Sequence, residues 1–171
     1  WATQRKKPRS YGHKAGSDNV DKIVTYAFKN GIKVLSLYAF SCENWSRPKE
    51  EVDELMSLLE KYFKKFIGKI LKRNVRLSVM GDISVLSDKL KKVIAEGIEK
   101  SAANDEYVLN IGINYGGRQE IVKAVKEIVS ANEEITVENI SAHLYTSSFG
   151  EPDLIIRTGG ELRLSNFMLY Q

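Results

Sequence analysis

The sequence predicts an α/β fold, a single domain over residues 1–171 with a mainly parallel central sheet flanked by helices. Three observations predict it. Short apolar runs, partly β-branched, alternate with longer stretches whose apolar residues recur every three to four positions. The joints between them carry Gly, Asn, Asp and Pro, the residues that turn a chain. The composition, 43% hydrophobic and 28% charged over 171 residues, is that of a globular domain large enough to bury a core.

A basic lead-in, Arg5 to Arg9, comes first. Val20, Ile23, Val24, Ala27 and Phe28 then follow helical spacing and predict a helix from about Ser17 to Asn30, stopped by Gly31. Ile32 to Tyr38 reads as a mostly buried strand. After the polar stretch Ser41 to Arg47, Pro48 suits a first helical turn, and Glu50, Glu51, Asp53 and Glu54 favour the positive end of a helix. Val52, Leu55, Met56, Leu59, Phe63, Phe66, Ile67 and Ile70 form one long stripe, which makes this the longest helix, running to Leu71.

The alternation continues with a strand Val75 to Met80, a turn Gly81-Asp82 and a helix near Ser87 to Ala103. A strand Tyr107 to Tyr115, a turn Gly116-Gly117 and a helix Gln119 to Ser130 come next, then a short helix Val137 to Tyr145. The last apolar runs are Asp153 to Thr158, read as a strand, and Ser165 to Tyr170. Polar segments that follow strands, Phe40 to Arg47, Gly81-Asp82, Asn114 to Arg118 and Thr158 to Arg163, are expected along one rim of a parallel sheet, where ligands bind.

The net charge of +4 suits an anionic partner, yet acids are interspersed with most of the bases, which argues against a continuous nucleic-acid stripe. The single cysteine, Cys42, cannot form an internal disulfide, and no CxxC or His/Cys cluster suggests zinc. These features and the lack of a signal-like leader at Trp1 to Lys7 lead us to expect a cytoplasmic protein with at most peripheral membrane contact.

Arg9, His13, Arg47, Arg157 and Arg163 lie in or beside expected loops. Planar guanidinium groups grip phosphate oxygens through paired hydrogen bonds, so as a set they suggest a diphosphate site; singly, each fits an ordinary surface ion pair equally well. Gly12-His13-Lys14-Ala15-Gly16 is expected to open a helix, where free amides could receive an anion or simply be capped. Asn44 offers a donor and an acceptor in a loop, while its neighbour Trp45 is more simply read as packing against the next helix. Cys42 reads as a packed side chain, with no His nearby in sequence to activate it.

These segments resemble, in order and spacing, the cis-prenyltransferase family of the undecaprenyl diphosphate synthase type. Gly12 to Gly16 is similar to its GHxAG element, Leu37 to Pro48 to LYAFSxENWxRP, and Leu109 to Arg118 to LNIxxNYGGR. Asp153 to Glu161 with Arg163 to Phe167 is similar to DLxIRTxGExRxSNF. The resemblance implies an isoprenyl transferase that condenses isopentenyl diphosphate with an allylic diphosphate, farnesyl diphosphate being the expected primer. Its product would be a long-chain cis-polyprenyl diphosphate, the lipid carrier of cell-wall synthesis.

By the same resemblance, Arg9 and His13 bind the allylic diphosphate with Trp1 at its edge, and Ser41, Cys42 and Glu43 lie against substrate. Asn44 is the catalytic candidate, assisting proton removal; Trp45 and Arg47 shape and hold the substrate. Arg157, Arg163 and Ser165 receive the diphosphate of isopentenyl diphosphate, Leu164 is a further substrate-binding candidate, and Leu55, Met56 and Leu59 are candidates for the wall of a hydrocarbon tunnel. The family implies Mg²⁺, a homodimer and no nucleic-acid partner. Its metal-binding Asp and Glu match no position in residues 1–171, so no metal ligand is assigned within them and the 171-residue piece alone is expected to be inactive. A non-catalytic partner subunit of a prenyltransferase complex is the alternative.

Overall fold

The structure, a computed structural model, describes residues 1–171. Three strands form the sheet: β1 (Val34–Ser41), β2 (Val75–Met80) and β3 (Tyr107–Tyr115), in the order β1-β3-β2. Start meets start and end meets end. Val108 N–H donates to Lys33 O (2.8 Å), Tyr107 N–H to Asn74 O (3.3 Å) and, at the far end, Asp82 N–H to Asn114 O (3.3 Å). The sheet is therefore parallel, as the strand–helix alternation requires. Five helices accompany it: α1 (Arg9–Lys29), α2 (Lys49–Leu71), α3 (Asp88–Ser101), α4 (Gly117–Ser130) and α5 (Val137–Ala142).

The α-carbon positions divide the chain into two compact units, residues 1–37, 44–78 and 83–111 in one and 38–43, 79–82 and 112–171 in the other. In the first, α2 packs against α1 and α3. Its core gathers Val24, Phe28, Phe63, Phe66, Ile70, Leu77 and Ile94, all buried. In the second, Tyr115 lies fully buried beside Met80 and Met168; Tyr38 stacks on Phe167 at 4.5 Å, and both meet Tyr115 edge-on. Such edge and offset aromatic pairs add about 1 kcal/mol each beyond the area they bury.

Two local features show why the elements end where they do. At the end of α1, Gly31 adopts φ +83°, its N–H reaches Phe28 O (3.0 Å) and Ile32 N–H reaches Ala27 O (3.1 Å). This pair of bonds satisfies the last carbonyls and needs a residue free of a Cβ penalty at Gly31. Along the outer edge of β2, Ser101 Oγ accepts from Leu77 N–H (2.9 Å) and Asn104 Nδ2 donates to Val75 O (2.8 Å). The end of α3 thereby satisfies backbone groups that an edge strand would otherwise expose.

Four expectations need correcting. Helix α1 starts at Arg9, not near Ser17, because Pro8 takes an extended conformation (ψ 159°) and the chain turns helical directly after it. Gly12 to Gly16 therefore lies inside the helix, where amides bond back along the chain, and offers no free N–H cradle. Strand β1 is displaced to Val34–Ser41, and α5 stops at Ala142 instead of Tyr145.

The fourth correction concerns Asp153 to Thr158, which forms no strand. Leu154 and Ile156 are about three-quarters exposed. A strand exists only through its ladder to a neighbour, and this segment pairs with neither edge of the sheet, so apolar content alone misread it. Thr158 to Arg163 accordingly does not follow a strand.

Candidate active site

The first unit brings three of the expected anion-binding side chains to one carboxylate. Glu51, in the first turn of α2, accepts from Arg47 Nη1 at 2.8 Å and from Arg9 Nη1 at 3.5 Å, and lies 3.8 Å from His13 Nε2. Arg47 and Glu51 meet because the loop delivers one a helical turn before the other. Sequence reasoning passed over Glu51 as a helix-start acid; the four-residue spacing from Arg47 was the signal available. Arg9 is mostly exposed, whereas Glu51 is mostly buried, so the carboxylate anchors cations whose free N–H groups still face outward.

Burial holds the His13 imidazole below its ordinary value of 6.5, with Glu51 opposing that shift and Arg47 reinforcing it. Near the start of the chain, Trp1 stacks on Tyr11 (5.7 Å) and carries the Arg5 guanidinium over its ring (4.2 Å). Both rings are about half exposed.

Between α1 and α2 runs a groove of ≈ 950 Å³. His13, Lys14 and Asp18 line one side; Leu55, Leu58, Tyr62 and Phe66 supply apolar surface on the other. Of the three expected tunnel-wall residues, Leu55 lines this groove and Met56 and Leu59 do not; all three are half-buried.

The second unit brings together the expected diphosphate pair Arg157 and Ser165. Arg157 Nη1 donates to Ser165 Oγ (2.8 Å) and to Arg163 O (2.9 Å). Arg163 turns its own guanidinium to Glu161, so of these two arginines Arg157 is the one aimed at the serine. Leu164 is exposed, and its carbonyl accepts from Phe167 N–H (3.1 Å).

Cys42 to Ser46 forms a 3₁₀ turn directly after β1, which places Asn44 and Trp45 at a strand's C-terminal end. Trp45 is 40% exposed. The Cys42 thiol is pushed up by burial and then by the Glu43 charge, consistent with a packed side chain and not a nucleophile. Ser41 is half-buried at the end of β1.

Asn166 had no assigned role in the sequence reading, yet it is a hub. Its Nδ2 donates to Glu43 Oε1 (2.7 Å) and Gln119 Oε1 (3.0 Å) and lies 3.9 Å from Cys42 Sγ. Its Oδ1 accepts from Arg118 N–H (2.8 Å) and its carbonyl from Gly117 N–H (2.7 Å). Burial raises the Glu43 carboxyl, but hydrogen bonds from Asn166, its own amide, Ser41 and Cys42 outweigh that and hold it below the ordinary glutamate range.

The profile of the family described as "Putative undecaprenyl diphosphate synthase" matches residues 1–171. An isoprenyl transferase of Geobacillus kaustophilus is 45% identical over 178 aligned residues, which take in 100% of this chain and 69% of that protein. The isoprenyl transferase of Listeria monocytogenes serovar 1/2a is 46% identical and is covered over 71% of its length. Among solved structures, a "probable undecaprenyl diphosphate synthase" of Campylobacter jejuni superposes with a TM-score of 0.85 at 37% identity, covering 91% of this chain and 75% of that one. Lavandulyl diphosphate synthase of Lavandula x intermedia, in complex with dimethylallyl diphosphate, superposes with a TM-score of 0.94 at 34% identity over 100% of this chain and 77% of that one. With its full length matched by the family profile and its fold shared with two diphosphate synthases, the chain belongs to the undecaprenyl diphosphate synthase family of prenyltransferases.

Proposed function

We propose that this protein is a cis-prenyltransferase that adds isopentenyl diphosphate units to an allylic diphosphate, farnesyl diphosphate being the primer, to make a long-chain polyprenyl diphosphate for cell-wall synthesis. Residues 1–171 act as one catalytic domain. The observation that carries the assignment of residues is the pairing of Arg157 with Ser165 (2.8 Å), which fixes one edge of a guanidinium fork and leaves its other N–H groups for phosphate oxygens. The diphosphate bound to its plant structural relative supports an allylic diphosphate as the electrophile.

In this reading Arg9, His13 and Arg47 take the allylic diphosphate, with Trp1, Trp45 and Ser41 to Glu43 shaping its surroundings. They favour departure of the diphosphate by meeting the negative charge that grows as the allylic C–O bond breaks. Arg157, Arg163, Leu164 and Ser165 hold isopentenyl diphosphate, whose double bond attacks the electron-poor allylic carbon. One proton then leaves the new chain, setting a cis double bond, and Asn44 orients the group that takes it. The apolar side of the groove, Leu55, Leu58, Tyr62 and Phe66, accommodates the growing hydrocarbon.

Mg²⁺ is the cofactor the family leads us to propose. Mg²⁺ is commonly held by one or two carboxylates together with substrate phosphates, so an ion of this kind would reach these residues through the diphosphates that they bind. Their share of the work is binding, orientation and proton handling. No helix is long and apolar enough to cross a membrane. We take the protein to be a cytoplasmic homodimer that meets membranes only peripherally, through its lipid product.

Incubating the full-length protein with farnesyl diphosphate, labelled isopentenyl diphosphate and Mg²⁺, then sizing the lipid, tests the function; no chain elongation would overturn it. Arg157→Ala is expected to remove about 3 kcal/mol of transition-state stabilisation, roughly two hundredfold in kcat/KM for isopentenyl diphosphate. Unchanged kinetics would take Arg157 out of the site.

His13 gives a pH signature. Its pKa in the free protein lies below 6.5, and a bound diphosphate favours the imidazolium, so binding takes up a proton. Affinity for the allylic diphosphate should therefore strengthen as pH falls through 6.5, by at most about tenfold per pH unit from this one proton. His13→Gln should lose that component while keeping whatever the ligand's own protonation contributes. Parallel pH profiles for the two proteins would separate His13 from the diphosphate.

A further inference from the structure

We propose that Asn166 is a positioning residue for prenyl transfer, whose carboxamide fixes Glu43, the residue bonded to Asn44, against the first turn of α4. The inference rests on the functional reading above and extends it to a residue that reading leaves out. In sequence Asn166 directly follows Ser165, the candidate diphosphate ligand. In space it is hydrogen-bonded to the residue that precedes the catalytic candidate.

The geometry leaves the carboxamide little freedom. Ser165, Asn166 and Met168 have φ of 50°, 62° and 46°, three left-handed positions within four residues. Asn is among the few side chains that accept this conformation at low cost, and Asp is another. Oδ1 caps α4 by accepting from Arg118 N–H (2.8 Å), which forces Nδ2 toward two carbonyl-type oxygens, Glu43 Oε1 (2.7 Å) and Gln119 Oε1 (3.0 Å). Space around the group is full: a Cβ at Gly116 would come within 2.5 Å of both Asn166 Nδ2 and Cys42 Sγ. Asn166 thus performs two separable tasks, an acceptor role toward α4 and a donor role toward Glu43.

Exchanging amide for carboxyl separates them. Asn166→Asp keeps the left-handed backbone and the cap, for which Asp is at least as good. It replaces the donor with an oxygen 2.7 Å from the Glu43 carboxylate. Gln119 can adapt by turning its amide over, whereas Glu43 cannot. Two carboxyl groups this close share a proton or push apart. The Cys42 thiol and the Tyr38 phenol also face Glu43, and both are held up by burial and so stay uncharged across the range tested.

The test is steady-state kinetics of full-length Asn166→Asp from pH 5.5 to 8.5, with thermal melting alongside. We expect kcat at pH 8 to fall about tenfold, KM for both diphosphates to stay within about twofold, and kcat to recover toward wild type as pH falls and the pair takes up a proton. In a Glu43→Gln background, where the new amide can donate to the introduced carboxyl, Asn166→Asp should cost less than twofold. That double-mutant cycle isolates the contact even though Glu43→Gln lowers activity by itself. Wild-type kcat at pH 8, a loss that ignores pH, or equal losses in both backgrounds would each reduce Asn166 to a helix cap and overturn the proposal. An inactive wild-type protein would instead overturn the functional reading beneath it.

Discussion

Gly81→Ala is expected to destabilise the protein by about 4 kcal/mol, lowering the melting temperature by roughly 8–16 °C. A Cβ at this position would sit 2.1 Å from Ile113 O and 2.9 Å from Asn114 O, both backbone atoms at the end of β3. No rotamer change relieves a clash with backbone. The residue also holds φ +114°, a conformation nearly closed to L side chains, so strain of about 1–3 kcal/mol adds to the overlap. The strand ends cannot simply spread, because Asn114 Nδ2 donates to Asp82 O (2.7 Å) and Asp82 N–H to Asn114 O (3.3 Å). Gly150→Ala is the matched control: φ is +80° and nothing lies within 4 Å of the added Cβ, so only the backbone cost should appear. Equal melting shifts for the two variants would show that the approach of Gly81 to β3 is not what requires glycine.

Glu120→Ala should be about as damaging, roughly 4 kcal/mol, for a different reason. Glu120 is 1% exposed and accepts from Tyr115 Oη (2.5 Å), Tyr145 N–H (2.8 Å) and Gln171 Nε2 (3.1 Å). Truncation leaves donors unmatched in the interior and opens a cavity beside Tyr115. Burial, then the bond to Glu120, pushes the Tyr115 phenol well above its ordinary value, so it remains the donor throughout the working pH range. Tyr115→Phe removes only one partner and should cost about 1 kcal/mol; the two changes together should be less than additive. Chemical denaturation of the four proteins at one pH measures the coupling. Strict additivity would show that the bond contributes nothing beyond its separate parts.

The sequence was most legible where structure is decided locally. The bounds of β2 and β3 agree with the alternation that predicted them, and α2 follows its apolar stripe to Leu71. Misreadings fall where a distant partner decides. Leu154, Ile155 and Ile156 have the composition of a strand but no ladder, and the Gly12 to Gly16 element lost its expected free amides because Pro8 starts the helix earlier. Arg157 and Ser165, which the structure joins by a hydrogen bond, were named through resemblance. Glu51, Asn166 and Glu120 were not singled out, since an acid or amide on a helix or turn looks like any solvated polar residue until its tertiary partners are known. Glu120 in particular sits in an amphipathic helix, where periodicity gives no hint that a carboxylate faces inward.

The polar clasp that Ser101 and Asn104 place on β2 makes the sheet asymmetric in what it can still recruit. With Leu77 N–H and Val75 O already engaged, that border offers a poor template for another chain, which protects it from edge-to-edge association. A strand seeking to widen the sheet on that side would first have to displace both side chains.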